Sequence, residues 1–178
     1  IKKELKYNDD SFKKDVVIVV KGKKIENFKE SILGDSDKLY EFLKESNLSK
    51  FACDVKATED YENVGEITYE QYKCLYESEN PFVLVLEQTT CGYCQQFNPI
   101  IGEYTQKNIL PIYVIQIDTL SDADRTALTG SLSYFNENDS WGTPLTLAIK
   151  DKEVVSEISG YTDDASALDE LYKKLDLK

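Results

Sequence analysis

The stretch Pro81-Phe-Val-Leu-Val-Leu86-Glu-Gln-Thr-Thr-Cys91-Gly-Tyr-Cys94 places two cysteines directly behind an apolar run. The run has the unbroken apolar character of a strand buried on both faces, so it predicts a central strand of a sheet. From Cys91 to about Lys107, apolar residues recur at helical spacing, with Pro99 interrupting them. The two cysteines are therefore predicted at the start of a helix that follows a buried strand.

A cysteine in the first turn of a helix is a candidate nucleophile. Free backbone N–H groups and the positive end of the helix dipole favour a thiolate over a thiol. Thiols in Cys-x-x-Cys motifs have pKa values of roughly 3.5 to 7, against about 8.5 for a free cysteine. The spacing also brings the second sulfur within bonding distance of the first. We predict that Cys91 attacks a substrate disulfide and that Cys94 resolves the mixed disulfide, without a cofactor or a metal.

Two other uses of this cysteine pair stay open, namely half of a zinc site and a plain structural disulfide. A zinc site takes four ligands, and the chain has no His, while Cys53 and Cys74 stand singly. The strand-then-helix context favours redox chemistry over both uses. The absence of His also excludes Ser-His-Asp and Cys-His catalysis.

Residues 64–178 are predicted to form one domain of the three-layer α/β/α type. Helices are expected after the caps Thr68, Ser121 and Thr162, and strands over residues 110–118, 145–149 and 154–158. Parallel strands joined by helices and closed by an antiparallel hairpin form such a sandwich. The loop 60–65 is the predicted boundary with the preceding residues.

Residues 1–63 are predicted to be an N-terminal α+β extension or a partial, degenerate copy of the second domain. The order of strand 16–20, strand 25–28 and helix 37–48 repeats the order of elements at the end of the chain. A shift of 129 positions also aligns identical residues, such as Lys21 with Lys150. A small unrelated extension is the alternative.

The segment Thr90-Cys-Gly-Tyr-Cys-Gln-Gln-Phe-Asn-Pro99 resembles the active-site helix of the thioredoxin superfamily. Pro99 follows Cys94 by five residues, as a proline does in that family. Trp141-Gly-Thr-Pro144, ahead of an apolar strand, is similar to the family's segment with a cis-proline that faces the redox pair. The resemblance spans about residues 65–178 and implies a thioredoxin-like fold for them.

The resemblance also implies roles for residues around the cysteines. Pro144 would shape the wall beside the reactive sulfur, and the backbone of Thr143 would pair with the substrate. Gly92, Tyr93 and Trp141 are further candidate substrate-binding residues, with the aromatic rings forming an apolar rim. The Gly-Tyr dipeptide is similar to that of bacterial extracytoplasmic disulfide isomerases, and the rest of the chain resembles thioredoxin-like accessory proteins of Gram-positive bacteria.

One departure from the family concerns a carboxylate. Thioredoxin carries a buried acid six residues before its first cysteine, and here that position is Val85. Glu87 lies two residues further on, with the same strand parity. Glu87 is either a substitute proton acceptor for Cys94 or a solvated carboxylate at a strand end.

The other two cysteines bear on the compartment. Cys53 and Cys74 either form a structural disulfide that ties the N-terminal region to the redox domain or are two buried free thiols. A disulfide would favour an oxidising compartment. We take the chain, which starts at Ile1 and has no Met, to be a processed or truncated product. We expect it to be extracytoplasmic, secreted or anchored at the cell surface, with a cytoplasmic location as the alternative.

The net charge of the chain limits the classes of partner that it is expected to bind. Lys and Arg total 21 against 33 Asp and Glu, which gives a net charge of -12. This sign argues against nucleic acid and anionic membranes as partners. No apolar run approaches the roughly 20 residues of a membrane span. We interpret the acidic surface as a solvated coat rather than a docking patch for a basic partner.

These observations favour a thiol-disulfide oxidoreductase that reduces or isomerises protein disulfides. Its expected partners are proteins with disulfides or thiols and an electron-donor protein. A net disulfide oxidase is the nearer alternative, because two residues between the cysteines do not determine a reduction potential. A non-catalytic thioredoxin-like module that binds a secreted partner is the alternative from another class.

Overall fold

The computed structural model describes residues 16–21, 24–30, 51–108 and 111–175. The chain divides into two compact units, Ile1–Ser49 and Lys50–Lys178. The second unit begins earlier than the predicted boundary at residue 64. Phe51 and Val55 explain the difference, because both side chains are buried in the hydrophobic core of the second unit.

The described residues of the first unit form an antiparallel hairpin of β1 (Val16–Lys21) and β2 (Lys24–Glu30). Adding 129 to the residue numbers of β1 and β2 gives the first and last residues of the two strands 145–150 and 153–159, which form a second hairpin. The strand register is also the same, since residues 16 and 30 pair as residues 145 and 159 do. Both hairpins have their register shift at the matching position. The two hairpins thus share strand lengths and register. The interpretation as a repeat stays a prediction, and its helix 37–48 lies outside the described residues.

The second unit is built on a five-stranded sheet with the order β3-β5-β4-β6-β7. Its central strand β4 pairs in parallel with β5 and antiparallel with β6, and β7 pairs antiparallel with β6. This is the thioredoxin-like arrangement that the sequence predicts. The strands are β3 (Val64–Glu66), β4 (Phe82–Glu87), β5 (Ile112–Gln116), β6 (Leu145–Lys150) and β7 (Glu153–Ser159).

The helices of this unit begin where the capping residues predict. Thr68 and Gln71 form a capping box, each side chain bonding the other's backbone N–H, and the Ser121 hydroxyl accepts from the N–H of Asp124. At the last helix Asp164 is the cap, and Thr162 instead accepts from the N–H of Asp164. The helices are α1 (Tyr69–Glu77), α2 (Gly92–Asn108), α3 (Asp122–Ser131), α4 (Tyr134–Glu137) and α5 (Ala165–Lys174).

The central strand is apolar throughout because both of its faces are covered. Val83 and Val85 belong to one core cluster, with Phe97 of α2 and Leu171 of α5. The alternate residues, such as Leu84, belong to a second cluster that includes side chains of α1 and α3. The three-layer α/β/α architecture predicted from the sequence is thereby confirmed.

Three local elements have no counterpart in the sequence predictions. Residues 64–66 form the edge strand β3, which pairs in parallel with β5 and overlaps the predicted boundary loop 60–65 at two residues. Residues 51–54 form bends and turns, and Cys53 and Asp54 have positive φ angles of 61° and 55°. The segment after α3 contains the short helix α4. Each of these elements is too short or too irregular to leave a periodic apolar pattern.

Candidate active site

Cys91 stands at the N-terminus of α2, directly before its first residue, Gly92. The backbone N–H of Cys94 donates to Cys91 Sγ at 3.1 Å, so the sulfur takes the place of a helix-capping oxygen. The two cysteines form a disulfide with a Cα–Cα distance of 5.2 Å. Cys91 is half-buried, whereas Cys94 is only 2% exposed. The accessible sulfur therefore sits where a helix favours negative charge, and the second sulfur is shielded behind it.

A second chain segment faces this sulfur. The Thr143–Pro144 peptide bond is cis, and Pro144 is buried at the start of β6. The carbonyl oxygen of Thr143 lies 3.4 Å from Cys91 Sγ. The carbonyl of Pro144 accepts a hydrogen bond of 2.9 Å from the N–H of Gly160, which follows β7. Two loops thus meet beside the disulfide.

The loop between β4 and the cysteines is held by two polar contacts that the sequence did not reveal. The backbone N–H of Thr89 donates to Asp118 Oδ1 at 3.0 Å, and the Thr89 hydroxyl also bonds this carboxylate. These hydrogen bonds lower the pKa of Asp118, and the bond from the Thr89 side chain has the largest effect. On the other side, Thr143 Oγ1 lies 3.4 Å from Gln88 Oε1. The position of Cys91 is thus fixed from the β5–α3 loop and from the cis-proline loop.

Glu87 is buried, with only 1% of its surface exposed, so the alternative of a solvated carboxylate is wrong. Its Oε2 atom accepts from Gln116 Nε2 at 3.2 Å and from Asn98 Nδ2 at 3.5 Å. Its Oε1 atom has no hydrogen-bond partner among the described residues. Burial, the largest effect, raises the pKa of Glu87, and the two amide hydrogen bonds oppose the rise.

A cavity of about 190 Å³ adjoins Glu87. Asn98, which contacts Glu87 from α2, lies one helical turn after Cys94. The buried carboxyl group therefore lies beside the helix that carries the shielded cysteine and opens onto a polar space. The cavity is lined by Thr58, Asp60, Tyr61, Val64, Glu66, Glu87, Asn98, Ile101, Val114 and Gln116.

The predicted aromatic rim is only partly present. Tyr93 is 64% exposed, and its ring centroid lies 6.5 Å from that of Tyr161, which is 39% exposed. Trp141 is half-buried and packs on Phe135 with the ring centroids 5.0 Å apart, so it belongs to the edge of the core. Tyr161, which the sequence did not single out, takes the place beside Tyr93. No motif in the sequence marks Tyr161, because its place beside Tyr93 depends on the folded chain.

Cys53 and Cys74 form a disulfide with a Cα–Cα distance of 5.9 Å. Both residues lie in the unit Lys50–Lys178, so the bond joins the segment after residue 50 to α1 and does not tie the two units together. Cys74 is exposed and Cys53 half-buried, which excludes the alternative of two buried thiols.

Within residues 16–21, 24–30, 51–108 and 111–175, no group of three or more His, Cys, Asp or Glu side chains is arranged to hold a metal ion. Among the same residues, no helix combines the length and the apolar character needed to cross a membrane.

Known proteins resemble this chain in structure, but no protein-family model matches its sequence. A thioredoxin from Nicotiana alata is 21% identical, with a TM-score of 0.47 over 67% of this chain and 95% of that chain. Thioredoxin f from spinach chloroplast is 16% identical, with a TM-score of 0.48 over 66% and 98%. A thioredoxin from Aeropyrum pernix is 18% identical, with a TM-score of 0.46 over 60% and 83%. The chain itself has the strand order β3-β5-β4-β6-β7, with the disulfide at the end of the central strand.

Proposed function

We propose that this chain, whose second unit has a thioredoxin-like fold, is a thiol-disulfide oxidoreductase that reduces or isomerises protein disulfides. The observation that carries the proposal is the surroundings of Cys91 Sγ. This sulfur caps a helix, accepts the N–H of Cys94 and lies 3.4 Å from the carbonyl of Thr143. The helix N-terminus and the N–H of Cys94 stabilise a thiolate at this position, and the half-buried side chain leaves the sulfur open to a disulfide of another protein.

The reaction starts from the reduced pair. The Cys91 thiolate attacks one sulfur of the substrate disulfide, a bond forms between the two sulfurs, and the substrate S–S bond breaks. The released substrate sulfur leaves as a thiolate and takes a proton from water. In this step the N–H of Cys94 and the N-terminus of α2 stabilise the negative charge on Cys91 before the attack.

Resolution of the mixed disulfide requires a second thiolate. Cys94 loses its proton and attacks Cys91 Sγ, which re-forms the disulfide seen in the structure and releases the second substrate sulfur as a thiolate. Glu87 is the proposed acceptor of that proton, because it is buried beside α2 and has an oxygen without a partner among the described residues. Two electrons pass to the substrate, and a dithiol electron-donor protein restores the reduced pair.

Insulin reduction by a dithiol reductant tests this proposal, with Cys91→Ser as the matched control. Wild-type protein should accelerate the reaction and the variant should not. Equal rates would overturn the assignment as an enzyme and leave a binding module. The reduction potential of the Cys91–Cys94 pair then separates the enzyme classes, since a value near -270 mV fits a reductant and one near -120 mV an oxidant.

An extracytoplasmic location is part of the proposal. It is supported by the Cys53–Cys74 disulfide, because an exposed disulfide outside the active site persists in oxidising compartments and is rare in the cytosol. Alkylation of free thiols in the native cells, followed by mass spectrometry, should find both cysteines protected. Alkylated Cys53 and Cys74 would favour the cytoplasmic alternative.

A further inference from the structure

Four loops surround the disulfide at one end of the sheet. Strands β4 and β5 are parallel and end there, and because β6 runs antiparallel to β4, β6 begins there and β7 ends there. The loops, residues 88–91, 117–121, 139–144 and 160–164, contain no Lys or Arg. They carry exposed carboxylates at Asp118, Asp139, Asp163 and Asp164. The first turn of α3 starts at the same end and adds Asp122, Asp124 and one cation, Arg125, which pairs with Asp122 at 2.6 Å. The end of the sheet that holds the disulfide therefore carries an excess of negative charge.

Five of the seven lysines in the described part of this unit lie at the other end of the sheet. Helices α2 and α5 begin beside the disulfide and run away from it, and their last turns carry Lys107, Lys173 and Lys174. Lys150 and Lys152 lie at the turn between β6 and β7, which is also at that end. Summed over the unit, this distribution gives the disulfide face a negative potential that attracts cationic groups.

Two tyrosines stand on the acidic face. Tyr93 and Tyr161 are two of the three large hydrophobic side chains that are exposed in the described part of the chain. Their ring planes are inclined by 32° and their centroids are 6.5 Å apart. Tyr93 lies between the cysteines, and Tyr161 follows Gly160, whose N–H bonds Pro144. A Lys or Arg side chain attracted to the face would find two aromatic rings beside the reactive sulfur.

We propose that this disulfide face is a docking surface for polypeptides that carry Lys or Arg next to the cysteine to be reduced. The inference rests on the proposed function and narrows its substrate class to cationic polypeptides. The carboxylates at Asp139 and Asp163 raise the encounter rate, and the Tyr93–Tyr161 pair holds the cationic side chain. An electroneutral apolar segment is the competing occupant.

The test uses two synthetic peptides with one internal disulfide each, identical except that Lys or Glu flanks the first cysteine. The full chain is reduced, and its oxidation by each peptide is followed by alkylation and mass spectrometry of the segment that contains Cys91. Hydroxyethyl disulfide, a small uncharged oxidant, is measured in parallel. We expect the Lys peptide to react about fivefold faster at low salt, since exposed charge pairs are individually weak, and the ratio to approach one in concentrated salt.

Variants test whether the Lys/Glu rate ratio depends on residues of the disulfide face. Asp139→Asn with Asp163→Asn should lower the Lys/Glu rate ratio, and Asp151→Asn, at the opposite end of the sheet, should leave it unchanged. Asp151 has a φ of 52°, which Asn tolerates, so this control keeps the turn. Tyr161→Leu should lower the ratio, whereas Tyr161→Phe, which keeps the aromatic ring, should preserve it.

Equal rates for the two peptides, with hydroxyethyl disulfide still oxidising the chain, would overturn the inference and leave the proposed function intact. A ratio unaffected by the carboxylate variants and by Tyr161→Leu would overturn it as well. Failure of all three disulfides to oxidise the chain would remove the proposed function and the inference with it.

Discussion

Glu87 is an ionisable side chain in a buried position. Only 1% of its surface is exposed, and its two amide partners contact one oxygen and leave the other without a partner among the described residues. Burial raises its pKa, which brings the carboxyl group closer to the pH at which a thiol and a carboxylate exchange a proton efficiently. A group with these properties can accept the proton of Cys94 during resolution.

Replacing Glu87 by Gln should therefore slow resolution and leave the first attack unchanged. Loss of a general base costs about 10²-fold or more in rate. The mixed disulfide with the substrate should accumulate, which quenched-flow alkylation and mass spectrometry can measure. In the wild type the resolution rate should rise with pH through the raised pKa of Glu87, because only the ionised carboxylate accepts a proton, and the variant should lose this dependence.

The matched control is Glu103→Gln, which removes an exposed carboxylate from the far part of the same helix. Its resolution rate should equal that of the wild type. Unchanged resolution in Glu87→Gln, over the whole pH range, would assign Glu87 a role outside catalysis.

The sequence predicts the cysteine pair and the cis-proline of the candidate site but not the residues that support them. The Cys91–Cys94 pair and Pro144 could be predicted because they depend on residue type and on local spacing. Asn98 and Gln116 could not, since an amide on a helix or at a strand end has no distinctive pattern, and only the packing of α2 against the sheet brings both to Glu87. Tyr161 likewise gains its significance from a contact with Tyr93, far away in sequence.

At the scale of elements, the Cys53–Cys74 disulfide fastens an irregular segment to α1. The segment includes Phe51 and Val55, which cover the edge of the sheet. The backbone of Ala52 also donates to the Tyr113 hydroxyl at 3.1 Å. The bond therefore holds a piece of core that has no regular secondary structure of its own.

The double replacement Cys53→Ser with Cys74→Ser should lower the free energy of unfolding by about 3 kcal/mol, because the unfolded chain is no longer closed into a loop. The two cysteines are separated by 21 positions. Urea unfolding of the wild type and the variant measures the change, and the potential of the Cys91–Cys94 pair should stay the same. A loss well under 1 kcal/mol would show that the segment is held by its side chains alone.

Two glycines give opposite predictions for the same substitution. A Cβ atom at Gly65 in β3 would lie 2.5 Å from Val55 Cγ1 and 2.9 Å from Phe51 Cε1. Gly65→Ala should therefore cost about 1–3 kcal/mol of stability. Gly130→Ala in α3 meets nothing within 4 Å and should stabilise the chain by about 0.5–1 kcal/mol. Urea unfolding compares the two, and equal effects would contradict the packing of residues 51–55 against β3.

Elements with strong local signals could be predicted, and those defined by their neighbours could not. The apolar run of β4 and the capping residues of α1 and α3 predict the correct kind of element, with limits close to those in the structure. β3 has three residues, one of them Gly, and is a strand only because β5 lies beside it. The pairing with β5 joins residues that are far apart in sequence, so no local pattern predicts it.

At the scale of the whole molecule, the unit Lys50–Lys178 holds its own core on both faces of one sheet. We expect residues 50–178 alone to unfold in a single cooperative transition and to keep the reduction potential of the full chain. Denaturant unfolding followed by two spectroscopic probes, together with a redox titration, checks both points. A fragment that starts at residue 64 should be less stable, because it lacks Phe51 and Val55; equal stability would contradict the observed boundary.

The chain contains two disulfides, one at the helix that begins with Gly92 and one between Cys53 and α1. Reducing both takes four electrons and four protons, twice the number that reduction of one substrate disulfide consumes. In a coulometric titration, an uptake of two electrons per chain thus corresponds to one disulfide alone, whereas an uptake of four electrons includes the Cys53–Cys74 disulfide as well.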